Sequence, residues 1–203
     1  MNNYTWLPRP FTRIATAILT VAATVFAMPL AGYAQGVTPP AVPPGLEVLD
    51  GSQVFLIGRG VGTQNYECQP TDVLGHVAWV LFTPEATLFD DAHNQLTTHF
   101  FSPNPAEGQV VRATWQDSQD TSTVWAKAIA TATVDPNAIA WVLLQVVGRQ
   151  AGPTGGTTLS GATFIQRVNT VGGLAPTTGC NNPVDVGHKA FQRYTADYVF
   201  YSK

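Results

Sequence analysis

Between Gln53 and Tyr201 the chain is a succession of short segments rich in Val, Ile, Thr, Phe, Tyr and Trp, closed by clusters of Gly, Pro, Asn and Asp. Such punctuation leaves room for strands and turns but for no long helix. Ten segments have strand length: 53–57, 62–68, 76–82, 86–89, 96–101, 109–115, 123–134, 140–147, 162–170 and 193–201. Alternation is clearest in the last, where Tyr194, Ala196, Tyr198 and Phe200 share one face and Thr195, Asp197, Val199 and Tyr201 the other. Segment 140–147 is apolar on both faces, as a strand covered on two sides requires. Asp90-Asp-Ala-His-Asn94 has the composition of a hairpin connection.

Composition agrees. Charged residues make up 11% of the chain, less than half of the roughly 25% of ordinary globular proteins, which argues against solvent-facing amphipathic helices. The expected fold is all-β: a single antiparallel β-sandwich or Greek-key barrel of about ten strands over residues 46–203. A net charge of −3, thinly spread, offers no basic face for nucleic acid or for an anionic membrane surface.

Ahead of this domain stands an address. Arg9 and Arg13 precede an apolar run from Ile14 to Met28, and Gly32-Tyr33-Ala34 supplies small residues two apart, which predicts a signal peptide over 1–34. Its cleavage leaves no membrane span and directs the protein to the periplasm or the exterior. Residues 35–45 hold Pro39, Pro40, Pro43 and Pro44 and are expected to form a linker. In an oxidising compartment the only cysteines, Cys68 and Cys180, are expected to pair. Closing so long a loop stabilises by up to about 4–5 kcal/mol in the chain-entropy picture.

Several blocks then become familiar: Gly60-Val-Gly-Thr-Gln-Asn-Tyr-Glu-Cys68, Trp79, Pro84-Glu-Ala86, His99, Ile165-Gln-Arg-Val-Asn-Thr-Val-Gly-Gly-Leu-Ala-Pro176, Gly179-Cys180 and Tyr194-Thr-Ala-Asp-Tyr-Val-Phe-Tyr201. Together they resemble a family of exported bacterial and fungal proteins catalogued as domain of unknown function 3455. The resemblance implies export and a single β domain, and it lends no activity. Some fungal relatives carry a malate dehydrogenase label, but Gly58-Arg-Gly-Val-Gly62 lacks the spacing and the following helix of a dinucleotide site. Those glycines fit a bulge or a close approach of strands.

Candidate site residues fall into small groups. Arg167 and Asp197, each inside a strong strand, are expected to pair, with Gln64, Tyr66, Glu67 and Gln166 lining a polar groove beside them. Glu67 and Asp197 would serve as the two carboxylates of a glycosidase if they approached each other. His93 and His99, flanking one hairpin with Asp90 and Asp91, have ligand chemistry but match no metal signature. Trp115 is a candidate platform for a sugar ring, whereas Trp79 and Trp141 are expected in the core. Asp117 to Asp120 lack the ligand alternation of a calcium loop. No nucleophile elbow occurs, so a serine hydrolase is disfavoured. No cofactor or metal is expected. The leading expectation is a non-enzymatic exported protein that binds a small molecule, glycan or envelope partner. A metal-assisted or glycoside-cleaving enzyme is the first alternative, and a structural envelope protein the second.

Overall fold

A computed structural model describes residues 39–48 and 51–203. The signal peptide expected over 1–34, and residues 35–38 of the linker, lie outside them. Eight strands follow in order: β1 (Gln53–Pro70), β2 (Val77–Phe89), β3 (Gln95–Asn104), β4 (Val110–Asp117), β5 (Thr123–Ala132), β6 (Trp141–Gln150), β7 (Phe164–Gly172) and β8 (Lys189–Ser202). Each pairs antiparallel with the next, and β8 returns to β1, closing the barrel.

The expected all-β antiparallel fold is present. The connectivity is up-and-down rather than Greek-key, and the strands number eight rather than ten. Both surplus strands arise from residues that look like breakers. Gly58, Gly60 and Gly62 run through the middle of β1, where a Cβ on Gly60 would stand 2.8 Å from Tyr198 Cε2 and one on Gly62 2.6 Å from Ala86 Cα. They let neighbours come close without ending the strand. Pro84 lies inside β2, beyond the point where the β2–β3 ladder stops at Ala86 and His99. There Thr83 Oγ1 accepts from the Phe101 backbone amide at 3.0 Å, a side chain standing in for a ladder bond.

Alternation then sorts the side chains. Leu88, Trp115, Val124, Val146, Ile165 and Phe200 fill one end of the interior, and Leu159, from the β6–β7 connection, joins them with no exposed surface. This is the packed end. Its connection is held by Asp120, whose carboxylate accepts from the Thr158 amide at 2.9 Å and hydroxyl at 2.7 Å. Hydrogen bonding with Ser122, together with these bonds from Thr158, holds the Asp120 carboxyl well below the usual range.

A second apolar layer lies outside the barrel. Leu143, Phe164, Val168, Val199 and Tyr201 are buried there against Val42, Leu46 and Val48. Residues 39–48 therefore pack on the domain, and this cover explains why segment 140–147 is apolar on both faces. Gln166 fastens it: its Nε2 donates to the Leu46 carbonyl at 2.6 Å, and its Oε1 accepts from the Tyr201 hydroxyl at 2.6 Å. The disulfide between Cys68 and Cys180, Cα atoms 5.4 Å apart, ties the β7–β8 connection to the end of β1.

Candidate functional site

Away from the packed end the interior empties. Where the filled half carries Leu, Ile, Phe and Trp, the inward positions here include Ala113, Ala126 and Ala128, and a cavity of about 490 Å³ remains. Its walls take a residue from each of the eight strands, from Gln64 on β1 to Tyr198 on β8. An eight-stranded barrel is just wide enough to be filled by side chains or to hold one small ligand, so the alanines decide between the two.

Trp115 and His99 lie between the two halves. Their rings stack at 4.2 Å between centroids and 10° between planes. Trp115 is 1% exposed, so it is a wall of the interior and not the expected open platform for a sugar ring. Trp79 and Trp141, expected in the core, are only half buried. His99 Nδ1 lies 2.9 Å from the Thr114 carbonyl. A carbonyl only accepts, so Nδ1 carries the hydrogen and Nε2 the lone pair. Burial, with Arg167 adding repulsion, pushes the imidazole down to about 3. It is neutral throughout the physiological range.

Tyr194 and Tyr198 share a hydroxyl–hydroxyl hydrogen bond of 2.8 Å. Burial raises both phenols above their ordinary value, keeping them protonated. Arg167 is the cross-strand neighbour of Tyr198 and lines the cavity with it. Its Nε and Nη2 donate to the Ala140 carbonyl at 3.3 and 2.9 Å. Among the described residues no carboxylate pairs with it. Two further cations line the cavity: Lys127 is exposed, while Arg112 is held by both oxygens of Glu107 at 2.8 and 2.9 Å. That grip lowers Glu107 to about 2.

The cavity reaches solvent between β4 and β5. Their ladder ends at Ala113 and Ala126, and beyond it Val111, Lys127 and Ala128 are exposed while lining the cavity. On the β1 side the same end is covered. Tyr66 donates its hydroxyl to the Gly173 carbonyl at 2.8 Å, and the Ile139 amide donates to the Gly172 carbonyl at 2.9 Å. Around this end the connections expose Val73, Leu74, Val134, Leu174, Val184 and Val186.

The residues singled out from sequence thus separate. Gln64, His99, Trp115 and Arg167 line the cavity together, and Tyr66 helps close its end. Gln166 lies on the outer face under residues 39–48. Asp197 also faces outward, where it meets Arg59 Nη1 at 2.9 Å and Asn169 Nδ2 at 2.8 Å; the expected Arg167–Asp197 pair does not form. Arg59 is paired in register with Asp197 and Glu67 with Lys189, so the two carboxylates lie eight residues apart along β1, about 26 Å at the rise of a strand. A glycosidase pair needs less than about 10 Å. His93 occupies the exposed turn before β3, with φ of 64°, and is remote from buried His99. Among the described residues no group of three or more His, Cys, Asp or Glu is placed to hold a metal ion. Lys127, Arg112 and the alanines escaped the sequence reading, although small residues alternating through 124–130 signal a strand that leaves its inner face unfilled.

Fold and site define a closed, up-and-down antiparallel barrel whose interior is packed at one end and hollow at the other. The chain matches, over residues 50–202, the family described as "Protein of unknown function (DUF3455)", and it belongs to that family. No curated protein and no solved structure matches it.

Proposed function

We propose that this protein is a non-enzymatic binding protein that holds a small molecule inside its barrel. The observation that carries this reading is the cavity of about 490 Å³, within the roughly 300–1,000 Å³ typical of ligand sites. Mostly apolar walls and a few convergent polar groups are the composition such sites have. The Cys68–Cys180 disulfide supports action in an oxidising compartment, periplasmic or extracellular.

The test is fluorescence titration with N-phenyl-1-naphthylamine, a neutral probe that brightens in apolar surroundings. The wild-type chain is expected to bind it saturably with one site, and Ala126→Phe, which fills the cavity, to abolish binding while retaining a cooperative melt. Absence of saturable binding, or unchanged binding in Ala126→Phe, would overturn the reading.

The exposed apolar side chains around the open end favour a second reading, a structural or stress-associated envelope protein that assembles with its own copies through that end. Self-association that disappears in Leu74→Asp, followed by sedimentation, would support it.

A further inference from the structure

We infer that the occupant of the cavity is an amphipathic anion, an apolar body ending in a carboxylate or comparable acid group held against Arg167; this rests on the binding reading above. Three observations converge. First, the walls include Arg112, Lys127 and Arg167 and no Asp or Glu. Arg112 is already neutralised by Glu107, and Lys127 is at the exposed edge. Arg167 is therefore the cation met inside by no carboxylate, only by a backbone carbonyl and the Tyr198 hydroxyl.

Second, donors are in surplus around it. The indole N–H of Trp115 is buried with no hydrogen-bond partner, and the buried side-chain amide of Gln64, beside the Tyr194 hydroxyl, makes no hydrogen bond of good geometry; both residues line the cavity. In the Tyr194–Tyr198 pair one hydroxyl donates to the other; with Tyr194 as donor, the hydroxyl hydrogen of Tyr198, the member of the pair that lines the cavity, is left over. Guanidinium, amide, indole and phenol all offer hydrogen, and a carboxylate accepts several such bonds at once. Third, a half-buried guanidinium without a counter-charge is costly, and an anion drawn into the same low-dielectric space offsets that cost. The remaining walls, among them Leu81, Phe101, Val142 and Leu144, suit an apolar body.

Calorimetric titration with decanoate, decan-1-ol and decyltrimethylammonium compares three heads on one chain. The full protein is expected to bind decanoate at least tenfold more tightly than decanol, and the cation least of all. Arg167→Gln should erase the preference for decanoate and leave decanol affinity within twofold, whereas Arg167→Lys should keep part of it. Lys189→Gln, which removes a surface charge outside the cavity, should leave the preference intact. Melting curves establish that each variant is folded. Equal affinity for decanoate and decanol in the wild type, or a preference that survives Arg167→Gln, would overturn the anion while leaving the binding reading in place. Failure of all three probes would overturn both.

Discussion

At the packed end of the barrel, Leu88, Ile165 and Phe200 meet across the interior, whereas at the other end Ala113, Ala126 and Ala128, side by side on β4 and β5, border an open cavity. The same eight strands build both ends, so backbone geometry does not separate them. The difference lies in the inward positions. Gly58 on β1 makes room for Leu88 to fill one half, and alanines on β4 and β5 withhold the side chains that would fill the other. Packing and free volume are thereby assigned to different halves of one molecule.

Removing bulk from the packed end is the severest way to break this comparison. Phe200→Ala is expected to lower stability by about 3–5 kcal/mol, because the fully buried ring leaves a void its neighbours cannot close. Urea unfolding measures the loss, and a cost under about 1 kcal/mol would show that this end is not packed as described.

Acid probes the boundary between the halves. His99 titrates near 3 in the fold and near 6.5 when unfolded, so between those values the unfolded chain holds a proton that the native one lacks. Its contribution is whole above pH 6.5 and drains away as pH falls towards 3, with a slope of up to about 1.4 kcal/mol per pH unit. His99→Phe keeps the ring against Trp115 and strands the Thr114 carbonyl. It should be less stable than wild type at pH 7 yet show a shallower loss between pH 6 and 4, followed by unfolding titrations at each pH.

Adding single groups gives the sharpest contrast. Gly58→Ala sets a methyl against Leu88 at the packed end and should cost about 1–3 kcal/mol. Ala113→Leu adds three carbons to the hollow end and should change stability by less than about 1 kcal/mol, in either direction, while weakening probe binding at least tenfold. Thermal melts of the pair decide the matter: equal destabilisation would mean the halves do not differ.

What the sequence could disclose follows from range. The period of two in 193–201 is a local property, and it set Tyr194, Tyr198 and Phe200 on one face and Asp197 on the other. Local reading failed where a residue's meaning depends on the strand across from it. Gly58, Gly60, Gly62 and Pro84 look like ends of strands until β2, β3 and β8 are beside them. Arg167 and Asp197 looked like partners because register between β7 and β8 cannot be read from either alone; the structure sets Arg167 opposite Tyr198 and Asp197 opposite Val168. Gln166 and Arg167 are adjacent in sequence and face opposite sides, which divided the expected groove.

The ladder between β1 and β8 carries one more consequence. Every other ladder joins strands consecutive in sequence, but Gln53 meets Ser202 and Glu67 meets Lys189. β1 to β7 can pair as a local meander, and only the long-range return of β8 to β1 seals it. An unsealed meander presents two long, unpaired edges of the kind that recruit other chains. The state most open to aggregation is thus set by topology, and pairing of the final strand with the first ends it.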